Sequence, residues 1–276
     1  MDPLIMFLAI PIGLLIGLGA GIVGLTAWPI IVPLLFVIGG VPLHESLLSS
    51  LLVDLAIAVT LSLFYVRSPD SGVNMQLGSR LGLIAGVTAL VTVLIAFPLL
   101  EQYSNAFRGG SPFITLALGV IFLVQGIRLR TKGEGSDTLQ YELGAAPNSD
   151  VLKQKISYII CVLIGFLTGA IAIGGAMNFV LVLVFLLGYP TFRAVGTAMV
   201  ATTVMLSMTV VSYLILLSFS ISTIPIVLLY TFGGVLSSYI AVTRAQHIPE
   251  VKLRILIGFV VIATAIFAAI QVYLLT

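Results

Sequence analysis

Ten apolar runs, separated by polar residues or by glycine and proline, make up most of this chain. They cover residues 4–25, 28–40, 43–66, 77–100 and 112–129 in the first half, and 156–173, 176–188, 191–217, 221–243 and 251–275 in the second. A helix needs about 20 predominantly apolar residues to cross a bilayer. All but the second run of each half approach or exceed that length, so the pattern predicts membrane helices in two sets of five.

The two sets repeat one pattern at a shift of 148 residues. Residues 12–65 align with 160–213 without a gap, and punctuating residues coincide: Gly17 with Gly165, Gly21 with Gly169, Gly40 with Gly188, Pro42 with Pro190 and Tyr65 with Tyr213. Glycine widens the range of backbone conformations and proline narrows it. Their coincidence at the same positions therefore indicates that the two halves share a backbone path. Internal repeats of membrane helices are typical of transporters.

Composition excludes a soluble protein. Hydrophobic residues make up 60% of the chain and charged residues 8%, and the mean hydropathy is +1.24. That leaves too little polar surface to cover a domain of this size in water. The one cysteine, Cys161, lies in an apolar run and is read as a small buried hydrophobe.

The positions of the basic residues predict the topology. If every run crosses the membrane, both termini lie outside and every Lys and Arg except Arg108 is cytoplasmic. Fusing the first two runs of each half would move four more basic residues outside, so the positive-inside rule favours five runs per half. An odd number of crossings inverts the second half relative to the first. We therefore predict an all-α polytopic protein of the cell membrane, with inverted repeats at 1–130 and 156–276 and a cytoplasmic linker at 131–155.

The second run of each half is too short to span comfortably. It has about 13 residues, or roughly 20 Å of helix against a hydrocarbon core of about 30 Å. It either spans as a short helix or forms a re-entrant hairpin with the first run. In both cases the backbone breaks inside the membrane, at 25–29 and at 173–178. Irregular backbone at that depth is tolerated where it is buried in protein or lines a polar cavity.

Three repeated segments carry a resemblance to a known family. The glycine-rich first runs read GLLIGLGAGIVGLTAWP and GFLTGAIAIGGAMN, the short runs close on GGVP and LGYP, and the third run of the second half begins AVGTAMVATT. The corresponding SLLSSLLVD of the first half departs from that last pattern. Over nearly its whole length the chain resembles the sulfite exporter TauE/SafE family, also described as the toluene sulfonate uptake permease family. The resemblance implies transport of small sulfur-containing anions such as sulfite, sulfoacetate or related sulfonates.

The two breaks are the predicted anion site. No Lys or Arg lies at the centre of a span, so the anion must be met by neutral donors and by backbone N–H groups at helix starts. The residues that offer these are Thr26 and Trp28 at the first break, and Gly174, Gly175 and Asn178 at the second. Two alternatives stay open. Trp28 is equally suited to anchoring at the membrane surface, and Gly13, Gly17 and Gly21, spaced four apart, suit close helix packing.

The third runs supply a second polar surface. Ser46, Ser50 and Asp54 recur every four residues and therefore share one helix face. Ser49 aligns with Thr197 and Asp54 with Thr202. We predict Ser49, Ser50, Thr197 and Thr202 as substrate contacts, although membrane hydroxyls often bond only their own helix backbone.

Asp54 is the one acid deep within a predicted span. A carboxylate there is costly unless it is paired or hydrated, so it marks a functional position. We hypothesise that it carries a proton coupled to anion movement; the alternative is a hydrogen-bonded structural acid. Arg193, aligned with Glu45, lies at the predicted cytoplasmic mouth and suits either an entrance for anions or a topology determinant. His44, Glu45 and His247 lie near run ends and are read as solvated.

A secondary transporter that exports its anion is thus the predicted function. An intramembrane enzyme is disfavoured because the chain has no HExxH, GxSxG or SxxK motif. A passive anion channel remains the alternative, since a pore can use the same helix ends. We expect the lipid bilayer and a small sulfur anion as partners, and no cofactor, metal site or nucleic acid.

Overall fold

A computed structural model describes residues 3–68, 72–99, 151–172, 175–217 and 223–245, with individual positions between 113 and 127 and between 251 and 273. Eight helices are bounded within the continuous ranges. They are α1 (Pro3–Val23), α2 (Trp28–Pro33), α3 (Leu43–Arg67), α4 (Met75–Ala96), α5 (Val151–Ile171), α6 (Ala176–Leu181), α7 (Thr191–Leu216) and α8 (Ile224–Ala245). The described residues contain no strand.

Five helices are long and apolar enough to cross a membrane: Leu43–Arg67, Met75–Leu99, Leu152–Ile171, Phe192–Leu216 and Ile224–Arg244. The predicted all-α polytopic membrane fold is therefore confirmed. One boundary differs from the prediction, because α5 begins at Val151 rather than at 156. The last residues assigned to the linker 131–155 are thus helical, while 131–150 lie outside the described residues.

The two short helices have the same unusual construction. Each runs without interruption into a wider π-helical turn, Leu34–Ile38 after α2 and Val182–Leu186 after α6. A glycine then reverses the chain into the following long helix, with φ of +65° at Gly40 and +69° at Gly188. Only glycine adopts this conformation readily. The bounds of α1, α2 and their π turn differ from those of α5, α6 and theirs by 148 residues.

Close packing between helices depends on glycine. In α1, a methyl group on Gly13 or Gly17 would overlap the backbone of α8, and one on Gly21 would overlap Ala241. On α5, Gly165 and Gly169 meet the backbone of α4 in the same way. The packing interpretation of Gly13, Gly17 and Gly21 is confirmed, and Gly165 and Gly169 pack in the same way.

Helices α3 and α7 cross in opposite directions through the centre of the bundle. Gly196, near the start of α7, packs on the ring of Tyr65, near the end of α3. Asp54 and Thr202, near the middle of the two helices, line one cavity. The two crossing helices therefore define a middle level of the bundle and two ends, which we call the Glu45 end and the Arg193 end.

The short helices lead from this middle level to the two ends. Helix α2 begins beside Asp54, because Asp54 accepts a hydrogen bond from the backbone of Ala27, and its π turn finishes shortly before α3 starts at the Glu45 end. Helix α6 begins beside the same cavity and finishes shortly before α7 starts at the Arg193 end. A length of 11 residues with its π turn gives roughly 16 Å, about half of a bilayer core.

Candidate functional site

Both predicted breaks in the helices are present, and both are narrower than predicted. The first is Gly24–Ala27, so Trp28 and Pro29 are already helical. Proline is tolerated there because the first turn of a helix has no partner for its missing N–H. At the second break, α5 ends at Ile171, Ala172 takes a positive φ of 54°, and α6 begins at Ala176. Asn178 therefore lies in the first turn of α6.

The two breaks touch each other. A Cβ atom placed on Gly175 would lie 2.7 Å from the Cβ of Thr26, and one on Gly24 would lie 3.2 Å from the backbone nitrogen of Met177. Such an approach requires residues without bulky side chains on both segments. The sequence-based prediction that these two segments form one site is consistent with this contact.

Asp54 ties the first break to α3. Its Oδ2 accepts a hydrogen bond of 2.5 Å from the hydroxyl of Thr26, and its Oδ1 accepts one of 2.6 Å from the backbone N–H of Ala27. Ala27 is the residue that precedes α2, and its carbonyl accepts the first bonds of that helix. Asp54 is 6% exposed. The carboxyl group therefore satisfies a buried backbone donor where the chain resumes its helix, and it holds the break against the long helix.

A cavity opens where the breaks meet. It is small, with room for roughly one water molecule. Its walls are formed by Ala20, Leu25, Asp54, Ile57, Ala58, Gly175, Ala176, Met199 and Thr202. The lining is apolar apart from one carboxyl group, one hydroxyl group and the exposed backbone at the break, which is the usual composition of a site that orients a small ligand.

Thr202 faces Asp54 across this cavity. It is 2% exposed, and its hydroxyl has no hydrogen-bond partner among the described residues. Two other buried hydroxyls on α7 bond the helix itself: Thr209 donates to the carbonyl of Met205 at 2.9 Å and Ser212 to that of Met208 at 2.8 Å. An unused hydroxyl in a buried position is costly and therefore needs an explanation.

The other predicted hydroxyl contacts lie elsewhere. Ser49 donates to the carbonyl of Glu45 at 2.7 Å and Ser50 to that of Leu47 at 2.9 Å, so both bond their own helix. Thr197 accepts a hydrogen bond of 3.1 Å from the backbone of Asn74 near the Arg193 end. None of the three lines the cavity.

Trp28 and Asn178 flank the cavity rather than line it. Trp28 is 2% exposed, which is incompatible with an indole anchored among lipid headgroups. Its place at the start of α2 puts it directly after the bond between Ala27 and Asp54. Asn178 is half-buried, and its backbone donates to the carbonyl of Gly175 at 3.2 Å. Gly174 lies outside the described residues.

Arg193 and Glu45 both make hydrogen bonds between helices. Arg193 joins α7 to the residues before α4, and Glu45 joins α3 to the residue before α8. The Nε of Arg193 donates to the carbonyl of Gly72 at 2.6 Å, and its guanidinium lies over the ring of Tyr189 at 5.7 Å. Glu45 accepts a hydrogen bond of 3.0 Å from Thr223. The prediction that Glu45 is simply solvated is wrong, because its carboxylate bridges α3 to the start of α8. His247 lies outside the described residues.

The sequence of the chain matches a family model. The model for the sulfite exporter TauE/SafE family covers residues 6–268, nearly the whole chain. The chain belongs to the TauE/SafE family. Neither a curated protein nor a solved structure matches it. The TauE/SafE family is a transporter family, so the protein is a multi-pass membrane transporter for a small anion.

In this TauE/SafE protein, sequence reasoning missed most of the cavity wall. Ala20, Leu25, Ile57, Ala58 and Met199 line it, and nothing distinguishes their side chains from those of other buried apolar residues. The backbone donor of Ala27 was also missed. Its only signal was its place immediately before a helix and beside a polar break. Among the described residues no group of His, Cys, Asp and Glu is arranged to hold a metal ion.

Proposed function

We propose that this protein is a secondary transporter that exports small sulfur-containing anions, such as sulfite, sulfoacetate or related organosulfonates, across the cytoplasmic membrane. The observation that carries the proposal is the cavity between the two breaks, where Asp54 and Thr202 face each other near the middle of two crossing helices. A binding site at mid-membrane between discontinuous helices is typical of secondary transporters.

We further propose that residues 1–130 and 156–276 form inverted repeats around this cavity. The equal spacing of helix bounds supports the repeat, and the opposite directions of α3 and α7 support the inversion. Equivalent hydrogen bonds join Tyr65 to the carbonyl of Gly21 at 2.7 Å and Tyr213 to that of Gly169 at 3.4 Å. The positive-inside rule then assigns the Arg193 end to the cytoplasm and the Glu45 end, with both termini, to the outside.

The re-entrant alternative for the short runs is the one we adopt. Helix α1 runs parallel to α8, since Gly13 meets Tyr230 and Gly21 meets Ala241. Helix α8 runs parallel to α3, since Thr223 bonds Glu45 before the start of α8 and Gly234 meets Ile57 farther along both helices. Helix α1 therefore starts at the Glu45 end, and α2 returns to that end from the middle level. The first pair of helices in each half thus forms a hairpin that enters and leaves on one face.

The anion binds where the hairpins meet. Sulfonate and sulfite oxygens accept hydrogen bonds, and the hydroxyl of Thr202 and the backbone near Gly175 are the donors that line the cavity. Export follows from the membrane potential, which favours outward movement of negative charge by about 2.3 kcal/mol per charge at 100 mV. Rocking of the long helices around the fixed hairpins would expose the cavity to each side in turn.

Asp54 is the proposed proton carrier. It is the one ionisable group among the residues that line the cavity, so a proton that moves with the substrate has this side chain available. Asp54→Asn keeps the size of the side chain and cannot change charge. We expect this variant to transport the anion without responding to an imposed pH gradient; unchanged dependence on the gradient would remove Asp54 from the coupling role.

The test of function is transport by the purified protein in liposomes. Unlabelled sulfite or sulfoacetate is loaded inside at high concentration, and counterflow is followed as uptake of the labelled anion from outside. A secondary transporter gives saturable exchange and accumulation against the label's gradient, whereas a channel gives only dissipation of gradients. Absence of movement for every sulfur anion tested would refute the proposal.

A further inference from the structure

The two residues that face each other in the cavity occupy equivalent places in the two halves. Asp54 and Thr202 are related by the same shift of 148 residues that relates the helix bounds. In the first half, the carboxyl group of Asp54 accepts hydrogen bonds from Thr26 and from the backbone of Ala27. The backbone position equivalent to Ala27 in the second half is Gly175, which also lines the cavity.

The second half lacks the acid that completes this arrangement. At the position of Asp54 it carries Thr202, whose buried hydroxyl has no partner among the described residues. That hydroxyl borders the cavity, and no acid of the second half lines the cavity with it. The first break is therefore closed by a carboxyl group of the protein itself, and the second break has a hydroxyl donor at an open space.

We propose that the substrate's oxyanion binds to Thr202 and the backbone of Gly175, in the place that the Asp54 carboxyl group takes in the first half, and that it binds only when Asp54 carries a proton. This inference rests on the proposed transport function. It names the subsite for the anion and fixes the direction of coupling, because anion and proton then cross the membrane together.

The requirement for a proton follows from the closeness of Asp54 to the proposed anion subsite at Thr202. Both line one small cavity, so we take a separation of about 5 Å between an ionised Asp54 and a bound oxyanion. At an effective dielectric constant of about 20, repulsion at that distance weakens binding by at least about 100-fold. A doubly charged anion would be repelled more strongly.

No described charge near the cavity offsets this repulsion. The described parts of α1, α2 and α6 contain no charged residue. Arg193 lies near the start of α7, where it bonds Gly72, and Arg244 is exposed in the last turn of α8. Glu45, on the helix of Asp54, bonds Thr223 at the far end. Asp54 is thus the group whose charge decides anion binding.

Coupled movement remains compatible with export. A doubly charged anion such as sulfoacetate and one proton carry a net charge of about −1, so the membrane potential still favours their outward movement. The proton is taken from water on the side where the anion binds and is released to water on the other side.

Binding of sulfoacetate to the purified full-length protein tests the inference. Its own charge is constant between about pH 6 and about pH 9, since both of its acids are ionised there. We expect affinity in the wild-type protein to fall by at least about tenfold across this range, and affinity in Asp54→Asn to stay high and constant. Equal pH dependence in the two proteins, or none in the wild type, would overturn the inference.

A second pair of variants tests the subsite independently of Asp54. Thr202→Val keeps the shape of the side chain and removes the hydroxyl; we expect it to weaken sulfoacetate binding by about tenfold. Thr202→Ser should restore most of the affinity. Thr209→Val is the matched control, because Thr209 is equally buried on α7 and bonds its own helix. Equal affinity of Thr202→Val and the control would refute the subsite.

Proton movement separates this inference from the function on which it rests. In liposomes that contain a pH-sensitive dye, an outward sulfoacetate gradient should raise the internal pH in the wild type and leave it unchanged in Asp54→Asn. Saturable sulfoacetate transport with no proton movement, or with protons moving the opposite way, would refute the coupling and leave the transport function intact. Absence of any transport would refute the function itself.

Discussion

Replacing Asp54 tests its structural role at the first break separately from its role in transport. Asp54→Ala removes the acceptor for the hydroxyl of Thr26 and for the backbone N–H of Ala27. Ala27 is fully buried, so its N–H cannot form a hydrogen bond to water instead. A buried donor without a partner costs about 1–3 kcal/mol. With a smaller contribution from the half-buried Thr26, the expected loss is about 2–4 kcal/mol.

Asp54→Asn provides the comparison. Its amide oxygen can still accept from Ala27, and its amide N–H can donate to Thr26, whose hydroxyl serves in either direction. We expect a loss below about 1 kcal/mol. At about 2–4 °C per kcal/mol for a protein of this size, Asp54→Ala should lower Tm by about 4–16 °C and Asp54→Asn by less than about 4 °C.

The chain carries its own probe for this measurement. Trp28, the one tryptophan, follows Ala27 and is 2% exposed, so its emission reports on the break as the protein unfolds in detergent. Ser62→Ala is the control, because Ser62 lies on the same helix and bonds the carbonyl of Val59. Equal losses in the Ala and Asn variants, or no loss in Asp54→Ala, would refute the structural role.

Three further substitutions test the scaffold and the entrance. Gly17→Ala places a methyl group against the backbone of Gly234 and should destabilise the protein by about 1–3 kcal/mol in thermal unfolding. At Gly188, which has φ of +69° and open space around it, Ala should cost about 1–2 kcal/mol and Asn less; equal losses would contradict the conformational explanation. Arg193→Gln should raise the half-saturation concentration for anion that binds from the cytoplasmic side. We expect an increase of roughly 2- to 10-fold at low salt and none at high salt. A salt-independent effect would instead assign Arg193 to holding Gly72.

The architecture was predictable because its signals are periodic or repeated. Length and hydropathy identify helices that cross a membrane, and the glycines and prolines that recur at one shift mark the same turns twice. The positive φ at Gly40 and Gly188 is the physical reason that glycine occupies this position in both halves. The exact bounds of the breaks were not predictable. A proline such as the one at position 29 can either interrupt a helix or occupy its first turn, and the sequence does not distinguish the two.

The site was predictable only where its chemistry is rare. An acid in the middle of an apolar run is costly, so Asp54 was identified from sequence alone. Thr202 was identified only through its alignment with Asp54. Ser49, Ser50 and Thr197 carried the same hydroxyl signal and lie away from the cavity. Whether a hydroxyl faces a cavity or its own helix depends on rotation about the helix axis and on the neighbouring segments, which sequence spacing does not determine.

The location of the bound anion tests the central claim most directly. Selenite, a heavier analogue of sulfite, can be located in crystals of the full-length protein by anomalous scattering. We expect the selenium in the cavity between the two breaks, with an oxygen within hydrogen-bond distance of the Thr202 hydroxyl, and its loss in Thr202→Val. An ordered selenite elsewhere in the protein, beside Arg193 for example, with none in the cavity, would contradict the claim.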